Sequence, residues 1–306
     1  MKTHAAPHIL VTGATGLLGR PVLRTCSANP VWRVTGTSFR RTGPGLVRFD
    51  LSQTEQISAF LDRLAPTVIL HTAAERRPDV SEKDPDGTQR LNVGATDALA
   101  QWAAARGAFL VYISSDYVFD GTTPPYRPDD LPHPLNAYGQ SKLDGEYAIR
   151  AAGCDAAILR VPILYGEVET LDESSVTVLA KNMLNARPGA QLPMEHWATR
   201  YPTHTDDVAA VLRQIVTRRL TNPEFKGVFH WSGNEPMTKY DMACAFARVL
   251  PFDVTRLVAD PAPPQGAPRP QNAHLDSAAL ERLGIGQHTP FASALPSILA
   301  PHMRRP

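Results

Sequence analysis

The 306-residue sequence predicts an α/β fold built on a doubly wound parallel sheet, with a smaller lobe at the C-terminal end. Two observations support this prediction. Short, nearly continuous apolar segments alternate with helical patterns through the first half of the chain, as expected for strands that are buried on both faces. In addition, a glycine-rich turn follows the first apolar segment directly and opens a helix. We expect the sheet domain in residues 1–162 and the smaller lobe in residues 163–306.

The predicted strands of the sheet domain are short and rich in Val, Ile, Leu and Phe. Helical segments separate them, and consecutive strand–helix–strand units require right-handed crossovers. All of these strands are therefore expected to be parallel. In chain order they cover residues 8–12, 32–38, 45–51, 67–71, 109–114 and 156–162.

Helix ends are marked by capping residues. Ser52 and Glu55 have the spacing of a capping box, which predicts a helix start. Gly107 and Gly153 stand where a left-handed C-cap is expected after a helix. The two helices that end at these glycines are predicted near residues 88–106 and 138–152.

After residue 162 the alternation loosens, which predicts the smaller lobe. A well-capped helical pattern covers residues 206–220, and we expect this helix to pack back on the sheet. A further strand is predicted in "GVFHWSG" (227–233) and a further helix in "TKYDMACAFARVL" (238–250). The Pro-rich segment 260–270 is expected to be a loop.

Composition excludes several classes of function. Lys and Arg total 31 and Asp and Glu total 30, so the chain lacks the basic excess of proteins that bind nucleic acid or anionic membranes. Its three cysteines are far apart and without a CxxC spacing, so we expect neither disulfides nor a metal site. The first residues contain an apolar run of only about four residues, too short for a signal peptide. We expect a cytoplasmic protein.

The segment "TGATGLLG" places Gly13, Gly16 and Gly19 between the first strand and the first helix. Glycine permits the tight turn, lets backbone N–H groups approach a pyrophosphate, and allows the helix to pack closely on the sheet. The pattern therefore predicts a Rossmann-type dinucleotide site, to which Thr15 and Leu17 of the same turn contribute.

The second strand ends in "TSFRR", and this ending predicts which dinucleotide binds. Ser38, Arg40 and Arg41 stand where NAD-dependent proteins usually offer a carboxylate to the ribose. Two guanidinium groups suit the 2'-phosphate of NADP(H), although arginines in loops are often simply solvated. Further cofactor contacts are expected at strand ends and nearby helices, namely at Asp50, Leu51, Ala73, Ala74, Asn92 and Pro162.

Tyr138 and Lys142 are four residues apart on a predicted helix, so their side chains share one face. Such a pair also occurs on ordinary solvated helices, but here Ser115 and Tyr117 end the fifth strand and should meet the same face beside the nicotinamide. In that setting the ammonium group and the positively charged nicotinamide ring are together expected to lower the pKa of the phenol for proton transfer. Ser114 competes with Ser115 as the hydroxyl that binds the substrate carbonyl oxygen.

Four segments, "TGATGLLG", "ISSDYVFDGT", "YGQSKLDGE" and "RPQNAHLD", resemble the extended short-chain dehydrogenase/reductases, in the branch that contains dTDP-4-dehydrorhamnose reductase. The resemblance implies NADP(H) as cofactor, a C-terminal substrate-binding lobe, and a catalytic triad of Ser115, Tyr138 and Lys142, which is why Ser115 is preferred. It also implies a 4-keto nucleotide sugar as substrate.

Other segments are similar to a second family within that branch, the regulatory beta subunits of methionine adenosyltransferase. They are "AAERRPDV" (73–80), "ILYGEVE" (163–169), "FHWSGNEPMTKYDMACA" (229–245) and "LGIGQHTPF" (283–291). This similarity implies that the chain binds NADP(H), retains the triad, and acts mainly by binding the catalytic subunit of the synthetase. The reductase activity is the alternative.

Overall fold

The computed structural model of the chain describes residues 6–303. Its central sheet has seven strands in the order β10-β6-β5-β4-β1-β2-β3, and every neighbouring pair is parallel. The order reverses at β1, so the doubly wound parallel sheet is confirmed. The strands are β1 (His8–Thr12), β2 (Arg33–Ser38), β3 (Leu46–Arg48), β4 (Val68–His71), β5 (Phe109–Ser115), β6 (Ala156–Val161), β7 (Leu164–Tyr165), β8 (Leu192–Glu195), β9 (Thr203–His204), β10 (Gly227–His230) and β11 (Leu257–Asp260).

Helices cover both faces of this sheet. A π-helical turn over Gln89–Gly94 leads into the fifth helix. Within residues 6–303, no helix is both long and apolar enough to cross a membrane. The helices are α1 (Gly19–Ser27), α2 (Ile57–Leu64), α3 (Pro78–Lys83), α4 (Pro85–Thr88), α5 (Ala95–Arg106), α6 (Ala137–Ala152), α7 (Thr177–Leu184), α8 (Thr205–Thr221), α9 (Lys239–Ala247), α10 (Ala278–Glu281) and α11 (Phe291–Met303).

Two apolar layers hold the helices on the sheet. On one face α1 and α8 pack on the strands, and Val208 and Leu212 of α8 are fully buried in the same cluster as Ile9 and Val11 of β1. On the other face α2, α5 and α6 cover Leu10, Ile69 and Leu110. A buried aliphatic side chain contributes about 1.5–3 kcal/mol, so each layer is held mainly by apolar burial.

The C-terminal half contributes to both the sheet and a second core. Helix α8 and strand β10 come after residue 162 in sequence but lie in the layers of the central sheet. A separate apolar cluster joins α7, α9 and α11, with Phe246, Phe291 and Leu295 at its centre. The domain boundary at residue 162 stays a prediction. Beyond that residue the chain returns to the central sheet through α8 and β10.

The predicted helix ends were right in two places and wrong in one. Gly107 and Gly153 adopt φ values of 65° and 66° after α5 and α6, as predicted. The capping box at Ser52 and Glu55 is wrong, because the Ser52 hydroxyl donates to Asp50 Oδ1 at 2.7 Å and α2 begins only after a 3-10 turn. Gln53, not Ser52, is the N-cap of that turn, and its side chain makes no capping hydrogen bond.

Candidate functional site

A crevice of about 860 Å³ opens at the carboxyl ends of the central strands. It runs from the glycine turn after β1, past the ends of β2 and β4, to the start of α6. Its size falls within the usual range of cofactor and substrate sites, and its position is where parallel α/β sheets bind ligands.

The glycine turn forms one wall of this crevice. Gly13 has φ 65°, and a Cβ atom there would lie 2.8 Å from the Ala73 Cα atom. A Cβ atom on Gly19 would lie only 2.0 Å from the Gly13 carbonyl oxygen, so both positions exclude side chains. At Gly16, by contrast, an added Cβ would meet only the Gly13 oxygen, at 3.3 Å. The turn precedes α1 directly, so its backbone and the helix N-terminus suit an anion such as a pyrophosphate.

Most residues predicted for the site line this one crevice, although they come from seven separate parts of the sequence. Their shared position depends on the parallel sheet, which brings the strand ends together. Those lining it are Gly13, Thr15, Gly16, Leu17, Gly19, Ser38, Asp50, Leu51, Ala73, Ala74, Ser115, Tyr117, Tyr138, Lys142 and Pro162.

Arg40, Arg41 and Asn92 lie outside the lining. The Arg40 guanidinium carbon is 5.2 Å from the ring centroid of Phe39. Arg41 forms a two-pronged ion pair with Glu169, with both nitrogen–oxygen distances 2.5 Å. Asn92 is buried and hydrogen-bonds to Glu75 and Ser141, so it positions other parts of the site.

Asn92 fixes the geometry between the β4 loop and α6. Its amide oxygen accepts from the Glu75 backbone N–H at 2.8 Å, and its amide nitrogen donates to the Glu75 carbonyl at 2.9 Å and to Ser141 Oγ at 3.0 Å. Ser141 lies immediately before Lys142. Asn92 therefore holds the loop after β4 against the helix that presents Tyr138 and Lys142.

The end of the crevice near β2 and β3 is lined by Phe39, Asp50 and Ser52. Phe39 lines it with 55% of its surface exposed, and no pattern in the sequence identified it. Asp50 accepts from the Ser52 backbone N–H at 2.9 Å, which shapes the turn after β3. An exposed aromatic ring beside this polar turn suits a stacked base.

At the other end, the two candidate serines differ in direction, because successive strand residues point to opposite faces. Ser114 donates to Glu146 at 2.6 Å, inside the protein. Ser115 donates to Asp116 Oδ1 at 2.9 Å and interacts with the Tyr138 phenol. The geometry therefore favours Ser115 over Ser114.

Tyr117 and Tyr138 form an edge-to-face pair with ring centroids 5.8 Å apart. The Lys142 ammonium lies over the ring of Tyr112, 4.1 Å from its centroid. Tyr112 in turn donates its hydroxyl to the Lys142 carbonyl oxygen at 3.3 Å.

The expectation that Lys142 lowers the pKa of Tyr138 is wrong for the chain by itself. Burial raises the pKa of Tyr138; the Ser115 hydroxyl opposes that rise, while the charges of Asp116 and Tyr117 add to it. Burial also lowers the pKa of Lys142 to about 7, against the attraction of Glu146. The phenol therefore keeps its proton at neutral pH, the form needed to donate it.

Asp116 is a second titratable group at this end. Burial raises the pKa of its carboxyl to about 7, while the Ser115 hydroxyl, the Tyr117 N–H and the Arg200 charge hold it lower than burial alone would. Asp116 was not among the predicted residues, although "ISSDYVFDG" contains it directly between Ser115 and Tyr117.

The lowered pKa of Lys142 predicts a pH dependence of folding. A lysine charged up to about pH 10.5 when unfolded, but only up to about pH 7 when folded, binds more protons in the unfolded state between these values. Stability relative to Lys142→Met should therefore rise with pH across that window, by on the order of 1 kcal/mol per pH unit.

Urea unfolding of both proteins at pH 6.5, 8 and 9.5 measures this difference. Lys181→Met serves as a control, because Lys181 is 41% exposed and its ammonium pairs with Asp172 at the surface. A difference between wild type and Lys142→Met that stays constant with pH would show that Lys142 is not buried in this way.

Arg200, Lys239 and Arg269 of the C-terminal half also line the crevice, and sequence reasoning did not identify them as site residues. Arg200 pairs with Glu195 at 2.6 Å, and Arg269 pairs with Asp79 at 2.6 Å. Burial first, and then the charges of Arg200 and Arg269, lower the pKa of Lys239. The three residues come from three distant segments, so no local spacing shows them. The quoted segments "FHWSGNEPMTKYDMACA" and "RPQNAHLD" contain Lys239 and Arg269, but neither residue was assigned to the site.

A parallel seven-stranded sheet with this crevice and glycine turn defines a Rossmann-type protein of the extended short-chain dehydrogenase/reductase class. Within that class, the chain belongs to the family described as the RmlD substrate binding domain, whose sequence model matches residues 7–304.

Curated relatives fall into two groups. The chain is 51% identical over 297 residues to methionine adenosyltransferase 2 subunit beta from Mus musculus, covering 96% of this chain and 88% of that protein. It is 28% identical over 306 residues to dTDP-4-dehydrorhamnose reductase from Aggregatibacter actinomycetemcomitans, covering 95% and 98%.

Solved structures agree with the fold. A dTDP-4-dehydrorhamnose reductase from Clostridium acetobutylicum matches with a TM-score of 0.84 and 26% identity, over 97% of this chain and all 100% of that one. A reductase of the same name from Bacillus anthracis, solved in complex with NADP, matches with a TM-score of 0.81 over 98% and 100%. At 22% identity, this second likeness shows the fold alone.

Proposed function

We propose that the chain is an NADP(H)-binding protein that associates with the catalytic subunit of methionine adenosyltransferase and acts as its regulatory beta subunit. The observation that carries this proposal is the 51% identity to methionine adenosyltransferase 2 subunit beta across 96% of the chain. The identity of the chain to dTDP-4-dehydrorhamnose reductase is only 28%. The chain is therefore much more similar to the beta subunits than to that reductase.

The crevice supports NADP(H) as the ligand. Its glycine turn offers backbone N–H groups without side chains, and its open end combines Phe39 with the Asp50 turn, as a dinucleotide with an adenine base requires. Gly13, Thr15, Gly16, Leu17 and Gly19 would hold the pyrophosphate. Leu51, Ala73, Ala74 and Pro162 would line the remaining length, and Arg40 and Arg41 would hold the 2'-phosphate.

We expect NADPH to bind more tightly than NADH, and the double substitution Arg40→Ala/Arg41→Ala to remove most of that difference. A charge-assisted hydrogen bond to a phosphate contributes about 1.5–3 kcal/mol, which is roughly a 10- to 150-fold preference. Calorimetric titration with both cofactors measures it. Arg63→Ala, an exposed arginine at the end of α2, is the charge-matched control. Equal affinities for NADPH and NADH in the unaltered chain would contradict the assignment.

Association with the synthetase is tested by mixing the chain with a methionine adenosyltransferase catalytic subunit at micromolar concentration. Size-exclusion chromatography with light scattering should show a complex of fixed stoichiometry, and the rate of S-adenosylmethionine synthesis should change. Two separate peaks at every concentration would refute the regulatory proposal. For such a complex we further propose a cytoplasmic location, since Cys26, Cys154 and Cys244 are free, as in reducing compartments.

The second candidate is an NADPH-dependent reductase of a 4-keto nucleotide sugar. Two observations favour it: Ser115, Tyr138 and Lys142 line the same crevice, and Arg200, Lys239 and Arg269 provide cations suited to a diphosphate. When bound, NADPH supplies the hydride. Tyr138 would donate its proton to the carbonyl oxygen, and Ser115 would orient that oxygen by a hydrogen bond. Tyr117 packs edge-on against Tyr138 and would fix its ring.

A further inference from the structure

Residues 166–173, here called the acidic segment, are bound to several loops around the rim of the crevice. Glu173 accepts from both terminal nitrogens of Arg20, at 3.1 and 2.6 Å. Arg20 also donates to the Thr15 carbonyl oxygen at 3.0 Å, which ties the segment to the glycine turn. Arg76, from the loop after β4, donates to the Glu173 carbonyl oxygen.

A further attachment, on the β2 side, is the ion pair of Glu169 with Arg41. Both terminal nitrogens of the guanidinium group lie 2.5 Å from the two carboxylate oxygens. The backbone of Arg41 is fixed as well, because its N–H donates to Ser38 Oγ at 2.7 Å and its carbonyl accepts from the same hydroxyl at 2.5 Å. Arg41 therefore presents its guanidinium group from a constrained turn at the end of β2.

A phosphate accepts from guanidinium in the same two-pronged geometry as a carboxylate. Glu169 thus holds the donors that a 2'-phosphate at this turn would use. The pair is exchangeable, since the side chains of Arg41 and Glu169 are 52% and 43% exposed. Ion pairs this exposed are weak, so a ligand dianion is able to replace the carboxylate.

We propose that Glu169 is a specificity-determining residue that competes with the 2'-phosphate of NADP(H) for Arg41. This inference rests on the proposed function, and it adds an opposing residue to the two arginines. Glu169 lowers the affinity for the 2'-phosphorylated cofactor and leaves the affinity for NAD(H) unchanged, because NAD(H) makes no demand on Arg41. The preference for NADP(H) over NAD(H) is therefore smaller than the arginines alone would give.

Exchange also alters the acidic segment. When Arg41 turns to the phosphate, Glu169 loses its two-pronged partner and keeps only the longer contact with Arg20, at 4.0 Å. Glu173 keeps its contacts with Arg20 and with the Glu169 backbone N–H, at 2.9 Å. The segment then remains tied to the glycine turn but is free from the β2 side.

The test is Glu169→Gln, which keeps the shape of the side chain and removes its charge. Isothermal titration should show NADPH binding about two- to fivefold tighter than in the unaltered chain, with NADH affinity unchanged. Glu167→Gln is the matched control: it lies in the same segment, makes the same charge change, and pairs with Arg24 at 3.3 Å instead of with Arg41. It should alter neither affinity.

The pairing is tested directly in an Arg41→Ala background, where Glu169→Gln should no longer change NADPH affinity. A gain of equal size for NADPH and NADH, or an equal gain with Glu167→Gln, would show a general charge effect and overturn the inference. So would a loss of NADPH affinity in Glu169→Gln. If the unaltered chain binds neither cofactor, the proposed function fails along with it; normal binding with an unresponsive Glu169→Gln defeats this inference alone.

Discussion

Gly16→Val is expected to lower NADPH affinity by roughly 100-fold or more while leaving the fold intact, because it would cost several charge-assisted hydrogen bonds to the pyrophosphate. Gly16 lines the crevice. A Cβ atom added there would have only the Gly13 carbonyl oxygen within 4 Å, at 3.3 Å. The branched side chain would therefore extend into the space for the pyrophosphate. Calorimetry with NADPH and thermal unfolding measure the two effects.

Gly13→Val provides the contrast. At φ 65° and 2.8 Å from the Ala73 backbone, a side chain at residue 13 strains the turn and pushes β1 from β4. We expect this variant to lose cofactor binding and also to melt about 5 °C or more below the unaltered chain. If Gly16→Val bound NADPH normally, the glycine turn would not be the pyrophosphate site, whatever the behaviour of Gly13→Val.

These two glycines show what the sequence could and could not predict. The spacing of Gly13, Gly16 and Gly19 after a buried strand was enough to predict the turn, the parallel sheet and the crevice, because these follow from local backbone geometry. It did not show which glycine is needed for the fold and which leaves space for a ligand. That distinction depends on Ala73, which is sixty residues away from Gly13 in sequence.

The same limit explains the features that sequence reasoning missed. The partner of Arg41 is Glu169, at a separation of 128 residues, and Arg200, Lys239 and Arg269 meet only because the C-terminal half folds over the crevice. Local spacing carries no information on such contacts. The pKa of Tyr138 was misjudged for a related reason: the four-residue spacing to Lys142 was clear, but the depth at which both groups are buried was not.

Tyr138→Phe is expected to separate the two candidate functions. If the chain reduces a 4-keto nucleotide sugar, loss of the phenolic proton should lower turnover by about 100- to 10,000-fold, as is typical when a positioned acid is removed. NADPH affinity should be nearly unchanged, since the ring and its contact with Tyr117 remain. Stopped-flow or steady-state NADPH oxidation with a dTDP-4-keto-6-deoxy sugar measures turnover, and calorimetry measures binding.

A control for this substitution lies on the same helix. Tyr147 is 48% exposed on α6, outside the crevice, so Tyr147→Phe should leave turnover unchanged. Because burial keeps the Tyr138 phenol protonated, the reduction should also lose no activity through ionisation of this group between pH 6 and 9.

The same variant should bind the methionine adenosyltransferase catalytic subunit as well as the unaltered chain does, because the phenol lies within the crevice and not on an outer surface. Both measurements are therefore made on one protein. Lost turnover with intact association would mean that the chain performs both functions. No turnover in the unaltered chain, with a stable complex, would eliminate the reductase. Keto-sugar reduction that disappears in Tyr138→Phe, without any retained synthetase subunit, would replace the regulatory proposal with the enzymatic one.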